Sequence, residues 1–192
     1  MTTLLKKAAL TLLGDYAIWF VYRLEKGTAP TRASARESAF AFERLDEATA
    51  RASVDPLVQS QLEYLGAGAS AFACMDGPRV VGLCFYWAGD RYRRRNFWPL
   101  AADEAKLVQV VTLPEMRGRG IAGDLIAWSS QAMFDHGFRQ LFARIWHSNK
   151  PSWRAFERAH WRRAALVVDI HPLKRAKPLR IRIGRRPTGA AD

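Results

Sequence analysis

The fold of this chain is decided by the stretch Thr112-Leu113-Pro114-Glu115-Met116-Arg117-Gly118-Arg119-Gly120-Ile121-Ala122, where a strand pattern ends and a helix pattern begins. The apolar segment 106–113 predicts the strand. Apolar residues recur at helical spacing over 121–136, and Gly137 is typical of the position just after a helix. The apolar segment 139–146 follows, so the order predicts two parallel strands joined by a right-handed crossover.

The turn between this strand and this helix is rich in glycine and arginine. The first amides of a helix lack intrahelical partners and the helix dipole adds positive potential, so such a turn can hold a phosphate. Gly118 and Gly120 let the backbone approach the anion, while Arg117 and Arg119 add charge and forked donors. With Gly123 the stretch satisfies G-x-G-x-x-G, but the acidic residue that a dinucleotide-binding fold needs about twenty positions later is missing.

The remaining segments alternate between strand and helix patterns around this unit. Strands are predicted at 16–24, 70–75, 79–87, 106–113, 139–146, 164–170 and 179–183, and helices at 39–52, 57–65, 121–136 and 151–159. A tight turn is predicted at 76–78 and a polar, basic loop at 89–103. The layout predicts an α/β fold: a mixed central sheet of about six to seven strands flanked by helices, in a single domain over residues 1–184.

The two ends of the chain have patterns of their own. Residues 1–14 predict an amphipathic N-terminal helix with an apolar face formed by Leu4, Leu5, Ala8, Leu12 and Leu13. This helix could pack on the domain or contact a membrane surface. The glycine- and proline-containing segment 185–192 predicts a flexible tail.

The composition limits the partners and the compartment. The chain has 192 residues and a net charge of +12, which attracts nucleic acid, anionic lipid or a polyphosphorylated small molecule. No apolar run reaches the roughly 18 residues that span a bilayer. Cys74 and Cys84 lie in neighbouring apolar segments and predict two buried thiols rather than a disulfide or a metal pair. These features favour a cytoplasmic protein, with peripheral contact at an anionic membrane surface left open.

The stretch 112–122 resembles the signature of the GNAT superfamily of N-acyltransferases, V-x-P-x-x-[RQ]-G-x-G-x-[GA]. Only Thr112, in place of the valine, departs from it. The resemblance implies a GNAT-like domain that uses acetyl-CoA and needs no metal. It implies that the pantetheine arm is held by Val110, Val111 and Thr112. It implies that the pyrophosphate is held by Arg117, Gly118, Arg119, Gly120, Ile121 and Ala122.

A second family pattern, N-x-x-[AS]-x-x-x-Y-x-x-x-G-F, is partly present after the next strand. Asn149 and Ser152 match it, which places them near the pantetheine or the thioester, although Asn149 could also cap the following helix. Phe156 replaces the tyrosine that protonates the departing thiolate in the family, and His160-Trp161 replace Gly-Phe. The resemblance covers residues 70–170 and fades before residue 60, where acceptor recognition usually resides.

Acyl transfer from a thioester to an amine needs a base for the amine proton and a donor for the developing oxyanion. His147, at a strand end, is one candidate base, and it is equally typical of a surface or capping histidine. Glu104, with Asp103 beside it, is the other candidate. A backbone amide at the strand ends is the candidate oxyanion donor, and Tyr86, Tyr92 or water could protonate the thiolate.

These features together predict an N-acetyltransferase that transfers an acetyl or longer acyl group from acetyl-CoA to a primary amine. Basic residues at 91–98 are consistent with an anionic acceptor, with proximity to a membrane, or with arginines that simply cover the surface. Phe156 motivates a second hypothesis, a non-catalytic acyl-CoA sensor. The net charge and the aromatic, basic stretch 91–98 motivate a third, a nucleic-acid-binding module, which ranks below because no recognition motif accompanies it. The sequence leaves a homodimer open.

Overall fold

The computed structural model describes residues 15–28, 39–93, 99–172 and 179–184. Within these ranges eight strands form one sheet: β1 (Asp15–Glu25), β2 (Ala41–Leu45), β3 (Ala69–Asp76), β4 (Arg79–Trp87), β5 (Glu104–Thr112), β6 (Gln140–Trp146), β7 (Arg162–His171) and β8 (Leu179–Ile183). Their order across the sheet is β2-β3-β4-β5-β6-β1-β7-β8. The first strand of the chain is therefore inserted among the last ones, between β6 and β7.

Five helices accompany the sheet in the described ranges: α1 (Glu47–Ala52), α2 (Pro56–Gln59), α3 (Gly89–Arg93), α4 (Ile121–Asp135) and α5 (Lys150–Arg158). Short 3-10 turns occur at Leu62–Tyr64 and Pro114–Met116. Helices α4 and α5 pack on one side of the sheet, here called the α4 face, and α1 and α2 pack on the other, the α1 face. No helix of the described ranges is long and apolar enough to cross a membrane.

Only one pair of neighbouring strands, β5 and β6, is parallel among the described pairings. The predicted parallel pair around α4 is thus confirmed, and so is the mixed α/β sheet. The helix itself forms because Ile121, Leu125, Ile126 and Met133 repeat at helical spacing and are all buried against the sheet.

The predicted number of strands was too low, and the predicted helix at 39–52 was wrong in its first half. Residues 41–45 form the edge strand β2, in which Phe42 stacks on Trp128 of α4 with ring centroids 6.0 Å apart. Asp46 then starts α1, because its side chain accepts a hydrogen bond from the amide of Thr49 at 2.9 Å. Pairing with β3 and burial of Phe42 outweigh the helix propensity of the Ala and Glu residues.

Other predictions fall partly or wholly outside the described residues. The segment 89–103, predicted as a loop, begins with the short helix α3, and residues 94–98 lie outside the description. The N-terminal helix at 1–14 and the tail at 185–192 lie outside it too and stay predictions.

The two cysteines are buried free thiols in the neighbouring strands β3 and β4, as predicted. Burial raises the pKa of Cys74 and of Cys84 to about 12 in each case. Neither thiol is therefore a ready nucleophile at neutral pH.

Candidate functional site

Strands β5 and β6 pair only at their beginnings and then separate. Parallel pairing joins 104–107 to 140–143. Beyond these residues β5 stays beside β4 as far as Thr112, and β6 stays beside β1 as far as Trp146. The part of β5 after Leu107 changes from buried to half-buried. A cleft therefore opens between the carboxyl ends of two parallel strands, which is where ligands bind in open α/β sheets.

Strand β5 contains a bulge where this cleft begins. Phe85 of β4 pairs with Gln109 and Tyr86 pairs with Leu107, which leaves Val108 without an opposite residue. A bulge turns backbone groups out of the regular ladder, and β6 has already moved away on the other side. Amides of this part of β5 can therefore donate to a ligand in the cleft. The predicted pantetheine residues, 110–112, follow the bulge along the same edge.

The turn after β5 has the backbone conformation that its glycines predict. Gly118 has φ of 81° and Gly120 has φ of 89°, both in the left-handed region that side chains other than glycine rarely adopt. Gly120 is the N-cap of α4 and offers no side-chain hydrogen bond to the first amides of the helix. These amides can therefore receive an anion, and the exposed side chains of Arg117 and Arg119 lie on the same turn.

Ile121 packs the start of α4 against the sheet, and the half-buried Ala122 follows it. Ile121 is buried, and a Cβ added to Gly82 would lie 3.2 Å from its Cγ2. Gly82 in turn pairs with Thr112 at the end of β5. The side chain of Ile121 thus anchors the helix, while its backbone belongs to the turn.

Arg158, near the end of α5, lies over this turn and was not predicted as a site residue. A Cβ added to Gly120 would lie 3.3 Å from Nη1 of Arg158, and one added to Gly123 would lie 3.3 Å from its Cδ. The Cβ added to Gly123 would also lie 3.6 Å from the carbonyl oxygen of Ala155. Gly123 therefore lets α5 approach α4 and lets the stem of Arg158 cross to the turn. The third glycine of the stretch was the one sequence signal of this contact.

An acidic side chain also borders the turn. Oδ2 of Asp124 would lie 3.7 Å from a Cβ added to Gly120. A carboxylate in the first turn of a helix stabilises the helix dipole but repels a phosphate at the same place. The exposed guanidinium of Arg158, 3.3 Å from the same Cβ position, offsets this repulsion.

Asn149 and Phe156 have structural roles that the sequence left open. Oδ1 of Asn149 accepts a hydrogen bond from the amide of Ser152 at 3.2 Å, so the capping role is confirmed. Phe156 is buried, with its ring centroid 6.0 Å from that of Tyr22 and 5.0 Å from that of Trp161. Contact of these residues with a ligand stays a prediction.

His147 follows β6 and is held by β1. Its amide donates to the carbonyl oxygen of Ile18 at 3.0 Å, and its Nδ1 lies 3.3 Å from the same oxygen. Because a carbonyl only accepts, this contact favours a proton on Nδ1 and leaves Nε2 as the acceptor. His147 stands at the carboxyl end of β6, the end at which the cleft opens.

The carboxylate candidates lie at the other end of these strands. Glu104 is buried, and its carboxylate accepts hydrogen bonds from the amide of Ala101 at 2.9 Å and from Arg139 at 3.4 Å. Asp103 accepts from Arg139 at 2.8 Å, and this hydrogen bond lowers the pKa of Asp103 below its ordinary value. Glu104 pairs with the first residue of β6, seven positions before His147, or roughly 23 Å along a strand. The structure does not bring the two candidates together.

Tyr86 faces α4 rather than the cleft. Its hydroxyl oxygen lies 3.0 Å from Oγ of Ser129 and 3.2 Å from Oγ of Ser130, and burial raises its pKa. Tyr92 is buried as well. Tyr86 is therefore held as a core residue and does not suit the role of a proton donor to a departing thiolate.

The α1 face of the cleft is aromatic and basic. Trp146 of β6 stands opposite Trp19 of β1, with the rings edge to face and centroids 4.4 Å apart. The guanidinium carbon of Arg144 lies 4.2 Å from the centroid of the Trp19 ring. Arg144 is exposed and both tryptophans are half-buried. A ligand that reached the cleft from this face would meet a cation and two indole rings.

Comparison with protein families identifies one match. A family model described as "Acetyltransferase (GNAT) family" matches residues 35–161, a range that contains β5, the turn, β6 and all of α5. No curated protein matches the chain.

Several solved structures share the fold. A putative GNAT-family acetyltransferase from Novosphingobium aromaticivorans is 20% identical, with a TM-score of 0.53 over 81% of this chain and 63% of that one. An acetyltransferase of the same family from Colwellia psychrerythraea is 14% identical, with a TM-score of 0.56 over 86% and 60%. A functionally unknown conserved protein from Staphylococcus epidermidis is 12% identical, with a TM-score of 0.56 over 88% and 66%. The chain thus spans less than two thirds of each of these proteins.

Proposed function

The chain belongs to the acetyltransferase (GNAT) family, and from this premise we propose that it transfers an acetyl group from acetyl-CoA to a primary amine on an anionic acceptor. The observation that carries the proposal is the cleft between β5 and β6, which opens directly beside the glycine turn at 117–120. A thioester bound along the cleft would have its phosphates at the turn and its reactive carbon near the bulge at Val108.

The donor would be bound mainly by backbone groups. Free amides at the start of α4 would receive the diphosphate, with guanidinium groups from Arg117, Arg119 and Arg158 around it. The backbone of 110–112 would pair with the amides of the pantetheine arm, because this edge of β5 has lost β6 as a partner. Val108 would offer its amide to the thioester carbonyl as negative charge develops there.

His147 is the base in this proposal. An alkyl ammonium group has a pKa near 10.4 and must lose a proton before it attacks. Nε2 of His147 would accept that proton while the contact of Nδ1 with Ile18 fixes the ring. The amine nitrogen then forms a bond to the carbonyl carbon, and the C–S bond breaks as the tetrahedral intermediate collapses.

The thiolate can leave without a protein acid in this scheme, so the lack of a hydroxyl group at Phe156 is no obstacle. An ordinary thiol has a pKa of about 8.5, so a thiolate can leave at neutral pH and take its proton from water. No protein acid is then required, and the buried ring of Phe156 serves only to pack against Tyr22 and Trp161.

The acceptor would approach from the α1 face, since α4, α5 and the phosphate turn occupy the other. Arg144 would bind a carboxylate or phosphate of the acceptor, and Trp19 with Trp146 would cover an apolar part of it. Asp169, the nearby carboxylate, is bound by Arg180 at 2.6 and 2.8 Å, and Arg144 also acts on it electrostatically. These two cations and one carboxylate together carry a net positive charge, which favours an anionic acceptor.

Two measurements test the proposal. Calorimetry with acetyl-CoA should show saturable binding, and release of free CoA thiol should rise with a subset of primary amines that also carry a carboxylate or phosphate. Absence of any heat of binding would reject the donor site. Binding without turnover by any amine would instead favour an acyl-CoA sensor, the second candidate, which the missing hydroxyl at Phe156 supports.

A further inference from the structure

The outer strands of the sheet carry an apolar patch on the α4 face. Cross-strand pairing of β1, β7 and β8 arranges nine side chains in three rows. The rows, defined here as the nine-residue patch, are Tyr16-Ile170-Leu179, Ile18-Val168-Ile181 and Phe20-Leu166-Ile183.

The outer residues of this patch are exposed, and along β7 the patch is more exposed than the opposite face of the strand. Tyr16 is 57% exposed, Leu179 59% and Ile183 59%. Along β7 the residues of the other face, at 165, 167 and 169, are buried, while those of the patch are half-buried. Helix α5 reaches the inner border of this region, where the hydroxyl of Tyr22 donates to Glu157 at 2.8 Å and the guanidinium carbon of Arg163 lies 3.6 Å from the centroid of the Phe20 ring. A patch of this extent on a soluble chain marks a surface that another apolar segment covers.

We propose that residues 4–13 of this chain cover the nine-residue patch as an amphipathic helix. Leu13 stands only three positions before Tyr16, which belongs to the first row. Gly14 between them suits the reversal that a helix needs before the chain enters a strand. Five apolar residues of the segment, Leu4, Leu5, Ala8, Leu12 and Leu13, then face the rows, while Lys6, Lys7 and Leu10 lie on the opposite side of the helix.

The dimensions of the segment and the patch agree. A ten-residue helix is about 15 Å long. The patch spans two strand spacings, or about 10 Å, and four residues along β1, or about 13 Å. The other stretches outside the described residues are polar or basic, at 29–38, 94–98, 173–178 and 185–192, and none of them offers four leucines.

A second copy that extended the sheet at the β8 edge is disfavoured. Antiparallel pairing of two β8 strands about Ile181 would set Arg180 of each copy opposite Arg182 of the other. Like charges directly opposite each other destabilise a sheet. The covering helix would also pack beside a support of the cleft, because the carbonyl oxygen of Ile18, a residue of the middle row, holds His147.

Thiol labelling of the full-length chain tests the proposal, independently of any enzymatic activity. Ile181→Cys places a reporter in the middle row, and Val54→Cys, at a position 94% exposed on the other face, is the matched control. The native cysteines are buried and do not compete for a maleimide. We expect the reporter at 181 to react at least about tenfold more slowly than the control, the ratio falling to near one when Leu4, Leu5, Leu12 and Leu13 are all changed to Gln.

Each alternative gives a different result. Equal labelling at both positions in the otherwise native chain would overturn the proposal. Protection at 181 that disappears on dilution would assign the patch to a second copy, and protection gained only with vesicles of anionic phospholipid would assign it to a membrane surface. Leu179→Cys provides a second reporter in case one variant folds poorly, and circular dichroism checks the fold of each.

Discussion

Arg158 of α5 lies beside Gly120, the N-cap of α4, with Nη1 only 3.3 Å from the position that a Cβ on Gly120 would occupy. Helix α4 thus contributes the amides at its start, and helix α5 contributes a guanidinium group. The stem of Arg158 passes over Gly123, so its path depends on the glycine there. In the proposed function the two residues act on one anion, with the backbone supplying direction and the side chain supplying charge.

We expect Arg158→Gln to weaken binding of acetyl-CoA about tenfold, or about 1.4 kcal/mol, the usual range for one charge-assisted contact that is exposed to solvent. The dependence of affinity on salt should become shallower as well, because one cation fewer faces the phosphates. Calorimetry at two salt concentrations measures both effects. Arg154→Gln, on the same helix with its guanidinium 5.6 Å from the centroid of Trp153, is the matched control and should bind as the wild type does.

Gly120→Ala should lower both stability and donor binding. A left-handed alanine costs roughly 1–2 kcal/mol, and the new methyl group would also press on Arg158. Gly77→Ala is the control, because Gly77 has φ of 58° in the turn between β3 and β4 and no neighbour within 4 Å. The two variants should melt at similarly reduced temperatures, yet only Gly120→Ala should lose acetyl-CoA affinity. Equal affinities for both would contradict the role of the turn.

The conformation of the turn at 117–120 was readable from the sequence because it is local, while its contact with acetyl-CoA stays a prediction. Gly118 and Gly120 need left-handed backbone, a strand must precede them and a helix must follow, and all of this lies within one continuous stretch. The hairpin at Gly77 and the buried Cys74 and Cys84 were readable for the same reason. The residues of one continuous segment are enough to predict the backbone geometry of that segment.

The rest depended on contacts that join distant parts of the chain. Arg158 meets Gly120 only because α5 packs on α4, and Trp19 meets Trp146 only because β1 is inserted beside β6. No local pattern predicts that insertion. The strand at 41–45 was missed because pairing with β3 overrides helix propensity there.

His147→Gln tests the base. Glutamine can still donate a hydrogen bond to the carbonyl of Ile18, but it cannot accept a proton, so kcat/KM should fall by about 10²–10⁴ while acetyl-CoA affinity stays unchanged. The pH profile of kcat/KM should also differ from that of the wild type. His136→Gln, at the C-cap of α4 next to Arg44, should leave the profile as it is. A wild-type profile in His147→Gln would reject this histidine as the base.

His160 offers a last prediction, about stability. It has φ of 64°, the only positive value outside glycine among the described residues, and it stands where the family pattern has glycine. His160 thus has the left-handed backbone that suits glycine at this position of the pattern, although the residue itself is not glycine. A left-handed backbone costs a residue with a side chain roughly 1–2 kcal/mol. Glycine avoids this cost but loses more backbone entropy on folding, which offsets part of the gain. We therefore expect His160→Gly to stabilise the fold by about 0.5–1 kcal/mol. Thermal unfolding should then shift upward by a few degrees with unchanged acetyl-CoA affinity. His160→Ala, which keeps a Cβ, should show no such gain, and a gain there equal to that of glycine would mean that the imidazole rather than the backbone is the source of the strain.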